Sequence, residues 1–298
     1  TAYIDDFEGT QGAIDLLSPL SWSLASRPLT VNGVGENDIS NKQGIENGFG
    51  RALLNWYTID PIFFSAQRPS GMTDDDVSDI YTRRVFIEEI FPDQDIVQGQ
   101  TSVINTLDLA YYPTERGPYN FDPTITNNVL TNPAESWAGI TRQITSTDFE
   151  QSNVEYIEFW IQDPFLDNPA NTGGKLFINL GNISEDVLKD GRKQYENGLP
   201  EDGDVSSLIL QQPLTLENPY VVPQNQSLIY TFDTTGDQRT NQDVGYDGFD
   251  DAEEAQMLQT LYGGNNFGED PANDNYSYYL NEEGGIFERY KKYNGLEG

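Results

Sequence analysis

At 298 residues the chain is long enough for one large domain or two medium ones. It is 36% hydrophobic and 12% aromatic, too apolar for a disordered chain despite a formal charge of -33. With 49 Asp and Glu against 16 Lys and Arg, it is short of the cations that grip phosphates, which argues against nucleic acid and anionic membrane surfaces as partners.

The chain contains no cysteine and no histidine. That removes disulfides, thiolate metal sites, cysteine nucleophiles, Ser-His triads and the usual zinc or iron ligand. Carboxylates, Lys, Arg, Tyr, Ser and Thr remain for any chemistry. No run approaches the ~18–20 apolar residues of a membrane helix. The visible strands lack the clean alternation of a membrane barrel, so no direct membrane insertion by this segment is expected. The opening TAYIDDFEG has no initiator Met and no apolar leader, and the chain reads as a piece of a longer polypeptide.

In chain order, strands are expected at Tyr3–Glu8, Ser21–Ala25, Gly50–Tyr57, Tyr81–Glu89, Thr106–Tyr112, Ser136–Thr145, Val154–Asp163 and Lys175–Leu180. Each is rich in aromatic or β-branched residues and bounded by Gly, Pro, Asn or Asp. No long amphipathic helix separates them, which disfavours a parallel α/β sheet and favours an antiparallel sandwich. In VEYIEFWIQDPF, Ile157, Phe159 and Ile161 share one face and Val154, Tyr156 and Trp160 the other. A strand apolar on both faces needs a cover on each: a second sheet on one side, and a loop or neighbouring domain on the other.

From residue 184 the character changes. Ser184 with Glu185 and Asp186 suggests a short capped helix closed near Gly191. Asp250 and Glu253 read as a capping pair before AEEAQMLQTLY, with Gly263 as terminator. A last helix is expected over Ile286–Tyr293. The chain is therefore divided into a β-sandwich over 1–183 and an irregular segment with short helices over 184–298, packed on the sandwich or extending it. Phe7, Trp22, Trp56, Trp137, Phe159, Trp160, Leu176 and Ile178 are the expected core.

Few residues select a chemistry. Asp6 and Glu8 share a strand face, but close carboxylate pairs are unavoidable among 49 acids, and no spacing singles out a glycosidase pair. The stretch QDVGYDGFDDAEEAQ gathers Asp243, Asp247, Asp250, Asp251 and Glu254, with Gly245 and Gly248 for tight turns. Hard oxygen ligands at close spacing suit calcium, although the pattern is not that of an EF-hand. A capped acidic turn is the plainer account of the same residues. Asp74–Asp76 is expected to be a solvated loop. No phosphate-binding glycine motif is present.

Seven stretches, in order along the chain, carry a resemblance. They are YIDDFEG (3–9), LNWYTIDPIF (54–63), LAYYPTERGPYNFD (109–122), YIEFWIQDPF (156–165), LGNISEDVLKDGRKQYENGLP (180–200), QDVGYDGFDDAEEAQ (242–256) and ERYKKYNGLEG (288–298). Together they resemble the SprA (Sov) family of gliding-motility and type IX secretion proteins. The resemblance implies a segment of a very large outer-membrane translocon barrel that exports folded proteins. Within it this chain is a folded insert that caps or lines the pore, on the extracellular or pore-facing side. It implies as partners the rest of the barrel, its accessory subunits and, transiently, secreted cargo. No catalytic residue carries over, and no enzyme activity is expected. DDFEG, the EFW strand and KLFINLG also resemble jelly-roll carbohydrate-binding modules. The expectation is thus a mainly β, jelly-roll-like antiparallel sandwich serving as a non-enzymatic insert, completed by residues beyond Gly298. The alternative is a carbohydrate-binding module with structural calcium, and a glycoside hydrolase is the third class.

Overall fold

The computed structural model describes residues 14–27, 44–145, 154, 156–171, 173–183, 185–189, 191, 215–217, 219–220, 236–242, 244–264 and 266–294. The expected strand Tyr3–Glu8, with Phe7, lies outside them, as do Ser184 and Asp243. Small antiparallel sheets and a few short helices make up the described fold. The strands are β1 (Ser23–Leu24), β2 (Ala52–Tyr57), β3 (Val85–Phe86), β4 (Val103–Ile104), β5 (Asp108–Arg116) and β6 (Ile140–Thr141). They pair as β1 with β6, β2 with β5 and β3 with β4, each pair separate among the described residues. The helices are α1 (Asp74–Ser78), α2 (Ile87–Ile90), α3 (Asp237–Gln242), α4 (Asp251–Tyr262) and α5 (Ile286–Tyr290).

The β2–β5 ribbon is the central feature. Its register runs from Leu53 opposite Tyr112 to Tyr57 opposite Asp108. A bulge follows, after which Ala52 faces Arg116. Pro113, which has no N–H to donate, falls where the ladder is interrupted. β2 is buried along almost its whole length because a core lies on each of its faces. Ala52 and Trp56 enter one cluster with Ile45, Tyr119, Phe121, Leu188, Met257, Leu258 and Phe267. Tyr57, on the opposite face, enters a second cluster with Phe63, Met72, Tyr279, Ile286 and Tyr290. Both clusters draw on residues before and after position 184, so the two segments share their interiors.

Local chemistry explains the helices. Asp250 accepts a hydrogen bond from Glu253 N at 2.9 Å while the Glu253 carboxylate accepts one from Asp250 N, closing a capping box at the start of α4. Gly263, at φ 75°, ends the helix in the left-handed region. Glu254, Met257 and Leu258, spaced three and four apart, form its buried face. Asp74–Asp76 is not a loop but the first turn of α1: Thr73 caps it, and acids there suit the exposed amide dipoles.

Several expectations need correction. Within Tyr81–Glu89 only Val85–Phe86 is strand, because Glu89 reaches back to Phe86 N and starts α2. Residues 185–189 are irregular rather than helical, with a bend at Val187–Leu188, though both of those are buried. The segments 156–163 and 175–180 run without strand pairing. Tyr156 is 76% exposed, Trp160 65% and Ile161 68%. Phe159, Leu176 and Ile178 are exposed as well, so these and Trp160 are not core. The physical reason is that no second layer of described residues covers them. Among the described residues, Phe91 meets Trp160 in a near-perpendicular ring contact, 6.2 Å between centroids. Of the other expected core residues, Trp56 is buried, Trp22 packs half-buried against the first cluster, and Trp137 is half-buried beneath Arg51.

A candidate carboxylate centre

The strongest candidate site is built where three short pieces of chain converge: the turn before α4, α4 itself and the 270–274 loop. Gly245 and Gly248 hold left-handed φ values of 64° and 77°, which fold the turn sharply. That turn presents Asp247. Glu254, one helical turn past the α4 cap, points to the same place from the helix. Asp274 reaches it from the loop. Oxygens of Asp247, Glu254 and Asp274 all lie within 4.8 Å of one another. Gly245 makes this approach achievable, since a Cβ there would sit 2.0 Å from Asp274 Oδ2 and 2.8 Å from the Tyr119 hydroxyl.

The cluster is deeply buried: Asp247 is 0% exposed and Glu254 1%. Asp247 Oδ1 accepts from Phe249 N at 3.2 Å, while its Oδ2 is buried without a hydrogen-bond partner. Glu254 Oε2 accepts from Ala272 N at 2.8 Å, and Ala272 O in turn accepts from Tyr119 N at 2.8 Å. One carboxylate thus anchors a relay from α4 through the loop to the 116–121 segment. Burial, and then the charge of Asp274, push Asp247 well above the usual carboxylate range. Glu254 is pushed strongly upward by burial first and by Asp247 and Asp274 after it. An isolated buried carboxylate resists ionisation, and three together resist it more.

Arg116, itself 2% exposed, interacts electrostatically with Glu254 and Asp274. Its guanidinium donates to Asn128 Oδ1, Asn120 O, Pro271 O and Asp270 O, at 2.7–3.3 Å. Its hydrogen bonds brace three backbone carbonyls and an amide oxygen, and none of them goes to the three carboxylates. Burial lowers Arg116 to about 10, with Asp270, Glu254 and Asp274 pulling the other way.

The structure separates the residues that the sequence groups by spacing. It brings Asp247 and Glu254 together. Asp250 is engaged as the α4 cap. Asp251 lies on the surface, where both its oxygens accept from Asn275 Nδ2 at 3.0 and 3.1 Å. Asp274, the third member, escaped sequence reasoning because it is far along the chain. The EDPANDN stretch reads only as an acidic loop, and no periodicity links it to α4. The depression beside α4, lined by Phe249, Asp250, Ala252, Glu253, Gln256 and Met257, includes none of the three carboxylates. Buried as it is, the triad is placed to hold an ion or protons within the fold.

No protein-family model matches the chain, and no curated protein sequence matches it. No helix among the described residues is long and apolar enough to cross a membrane.

Proposed function

We propose that the chain is a non-enzymatic structural insert of an outer-membrane protein-export translocon of the type IX, SprA-like kind, capping or lining the pore. The observation that carries this reading is the extended apolar strip. Tyr156, Ile157, Phe159, Trp160 and Ile161, with Leu176, Phe177, Ile178 and Leu180, stand exposed and without strand pairing. An apolar stretch of that size, with free backbone donors and acceptors, is a surface that an assembly covers. In this reading, neighbouring parts of the translocon complete the jelly-roll-like sandwich expected from the sequence, on the extracellular or pore-facing side of the outer membrane. The long motif YYPTERGPYN supports a structural role. Its Arg116, Tyr119 and Asn120 are buried and tie together β5, the 270–274 loop and the turn before α4. The net charge of -33 suits a wall beside a conduit, where it discourages acidic cargo from sticking.

The test is photo-crosslinking in cells that make this chain in its natural setting, with the reactive group at Tyr156 or Ile161. Capture of an integral outer-membrane protein is expected. A chain found free of the envelope, or one that turns over a substrate, overturns the reading.

A second reading rests on Tyr156 and Trp160, two exposed aromatic rings on one extended segment. Such rings stack on sugars, and the chain would then be a carbohydrate-binding module. Saturable glycan binding, lost in Trp160→Ala, would favour it over the export role.

A further inference from the structure

We propose that Asp247, Glu254 and Asp274 form a structural calcium site that pins the start of α4 to the 270–274 loop. The inference is independent of the export reading and survives its failure.

Three observations converge. First, the geometry fits one ion. Calcium binds oxygen at ~2.3–2.6 Å, so two of its ligands stand at most about 5 Å apart. The three carboxylates offer oxygens within 4.8 Å of one another. Second, Asp247 presents a fully buried Oδ2 that lacks a hydrogen-bond partner. An uncompensated buried carboxylate oxygen is costly, and a cation removes that cost directly. Third, the room is kept open: Gly245 carries no side chain where one would collide with Asp274 Oδ2.

The donor chemistry selects the ion. The chain has neither histidine nor cysteine, so soft or borderline metals find no preferred ligand. Magnesium demands a tight octahedron at ~2.0–2.1 Å and keeps most of its water, which a buried all-carboxylate corner does not favour. Calcium takes mixed carboxylate, carbonyl and water oxygens in a flexible shell. The site joins elements distant in sequence, so its occupancy is a stability term for the whole fold rather than for one loop.

The experiment uses the full chain, stripped with EGTA and titrated with Ca2+, with Mg2+ in a parallel series. Calorimetry follows binding, and thermal denaturation follows stability. One saturable equivalent of Ca2+ is expected above the weak background of exposed acids, with Tm rising by several degrees and Mg2+ giving a smaller rise. Asp247→Asn and Glu254→Gln are each expected to weaken that equivalent by about tenfold or more. The surface control Asp75→Asn keeps it. Near-UV circular dichroism checks that the variants fold. Terbium luminescence sensitised by neighbouring tyrosines, and reversed by Ca2+, supplies a readout on the unaltered chain. Three results would overturn the proposal. One is a Tm that ignores millimolar Ca2+ with no saturable equivalent. Another is an equivalent that persists in both variants. The third is calcium-independent stability that falls with rising pH only while Asp247 is present, which would assign the triad to shared protons.

Discussion

The rings of Tyr57 and Tyr290 lie face to face, 4.0 Å between centroids and 7° from parallel. One belongs to β2 and the other to α5, so a single stack closes the second core across most of the chain. The Tyr290 hydroxyl donates to Thr58 O at 3.2 Å and accepts from Asp60 N at 3.0 Å. Two substitutions separate ring from hydroxyl. Tyr290→Phe keeps the stack and leaves two part-buried backbone groups short of a partner, at a cost of ~0.5–1.5 kcal/mol. Tyr290→Ala also opens a cavity, and ~3–5 kcal/mol is expected. Urea denaturation of both variants checks the order; equal losses would mean that the hydroxyl, not the ring, holds α5.

Asp108 gives a pH dependence outside the carboxylate centre. Burial pushes it up to about 6, against hydrogen bonds from Thr106 and Ile59 that favour its charged form. Its charge is felt by Tyr57 and Tyr290. A carboxyl whose folded value is raised is protonated in the fold while already ionised in the unfolded chain. Its burial therefore costs nothing below about pH 4, and the cost grows as pH rises through about 6. Asp108→Asn is expected to raise stability by ~1–3 kcal/mol at pH 8 and to make no difference below about pH 4. Denaturation series at the two pH values measure this.

Arg116 is expected to be hard to replace. Its fork satisfies three carbonyls and an amide oxygen while lying over the Phe267 ring at 4.8 Å. Lysine keeps the charge but cannot span four acceptors arranged around a plane. Arg116→Lys is expected to lose ~2 kcal/mol or more and Arg116→Ala ~3–5 kcal/mol, read as a lower urea midpoint with an unchanged slope.

The strip at 156–161 makes the opposite prediction. Trp160→Ser and Ile161→Lys remove exposed surface, so the isolated chain should change by no more than ~0.5–1 kcal/mol. Self-association, followed by light scattering, should fall in both. A large loss of stability would mean that these residues are covered in the free chain.

The sequence is most legible where a local signal and its partner sit close together. The Asp250–Glu253 cap, the Met257–Leu258 face and Gly263 define α4 from one short stretch. The aromatic run at Gly50–Tyr57 and its mate at Thr106–Tyr112 locate the central ribbon. The same logic overreaches at Val154–Asp163. Alternation tells which residues share a face, but not whether anything lies above that face. The carboxylate centre is legible only in part for a related reason. Asp247 and Glu254 belong to one motif, whereas Asp274 is recruited by tertiary approach, through Gly245. Arg51 and Arg116 are missed as interior residues because charge ordinarily marks surface. Both earn burial by bonding main-chain oxygens: Pro118 O and Val187 O accept from Arg51, as other carbonyls do from Arg116.

The shared interiors described above have a consequence for proteolysis. Asn55 Nδ2 donates to Lys291 O at 3.0 Å and Tyr293 O at 3.3 Å, and Asn273 Nδ2 to Arg116 O at 2.8 Å. These contacts do not depend on the peptide bonds that join Gly191 to Thr215. A protease that nicks the chain there would leave two fragments that migrate together on a sizing column and separate only in denaturant, so an intact band is not the criterion of an intact fold.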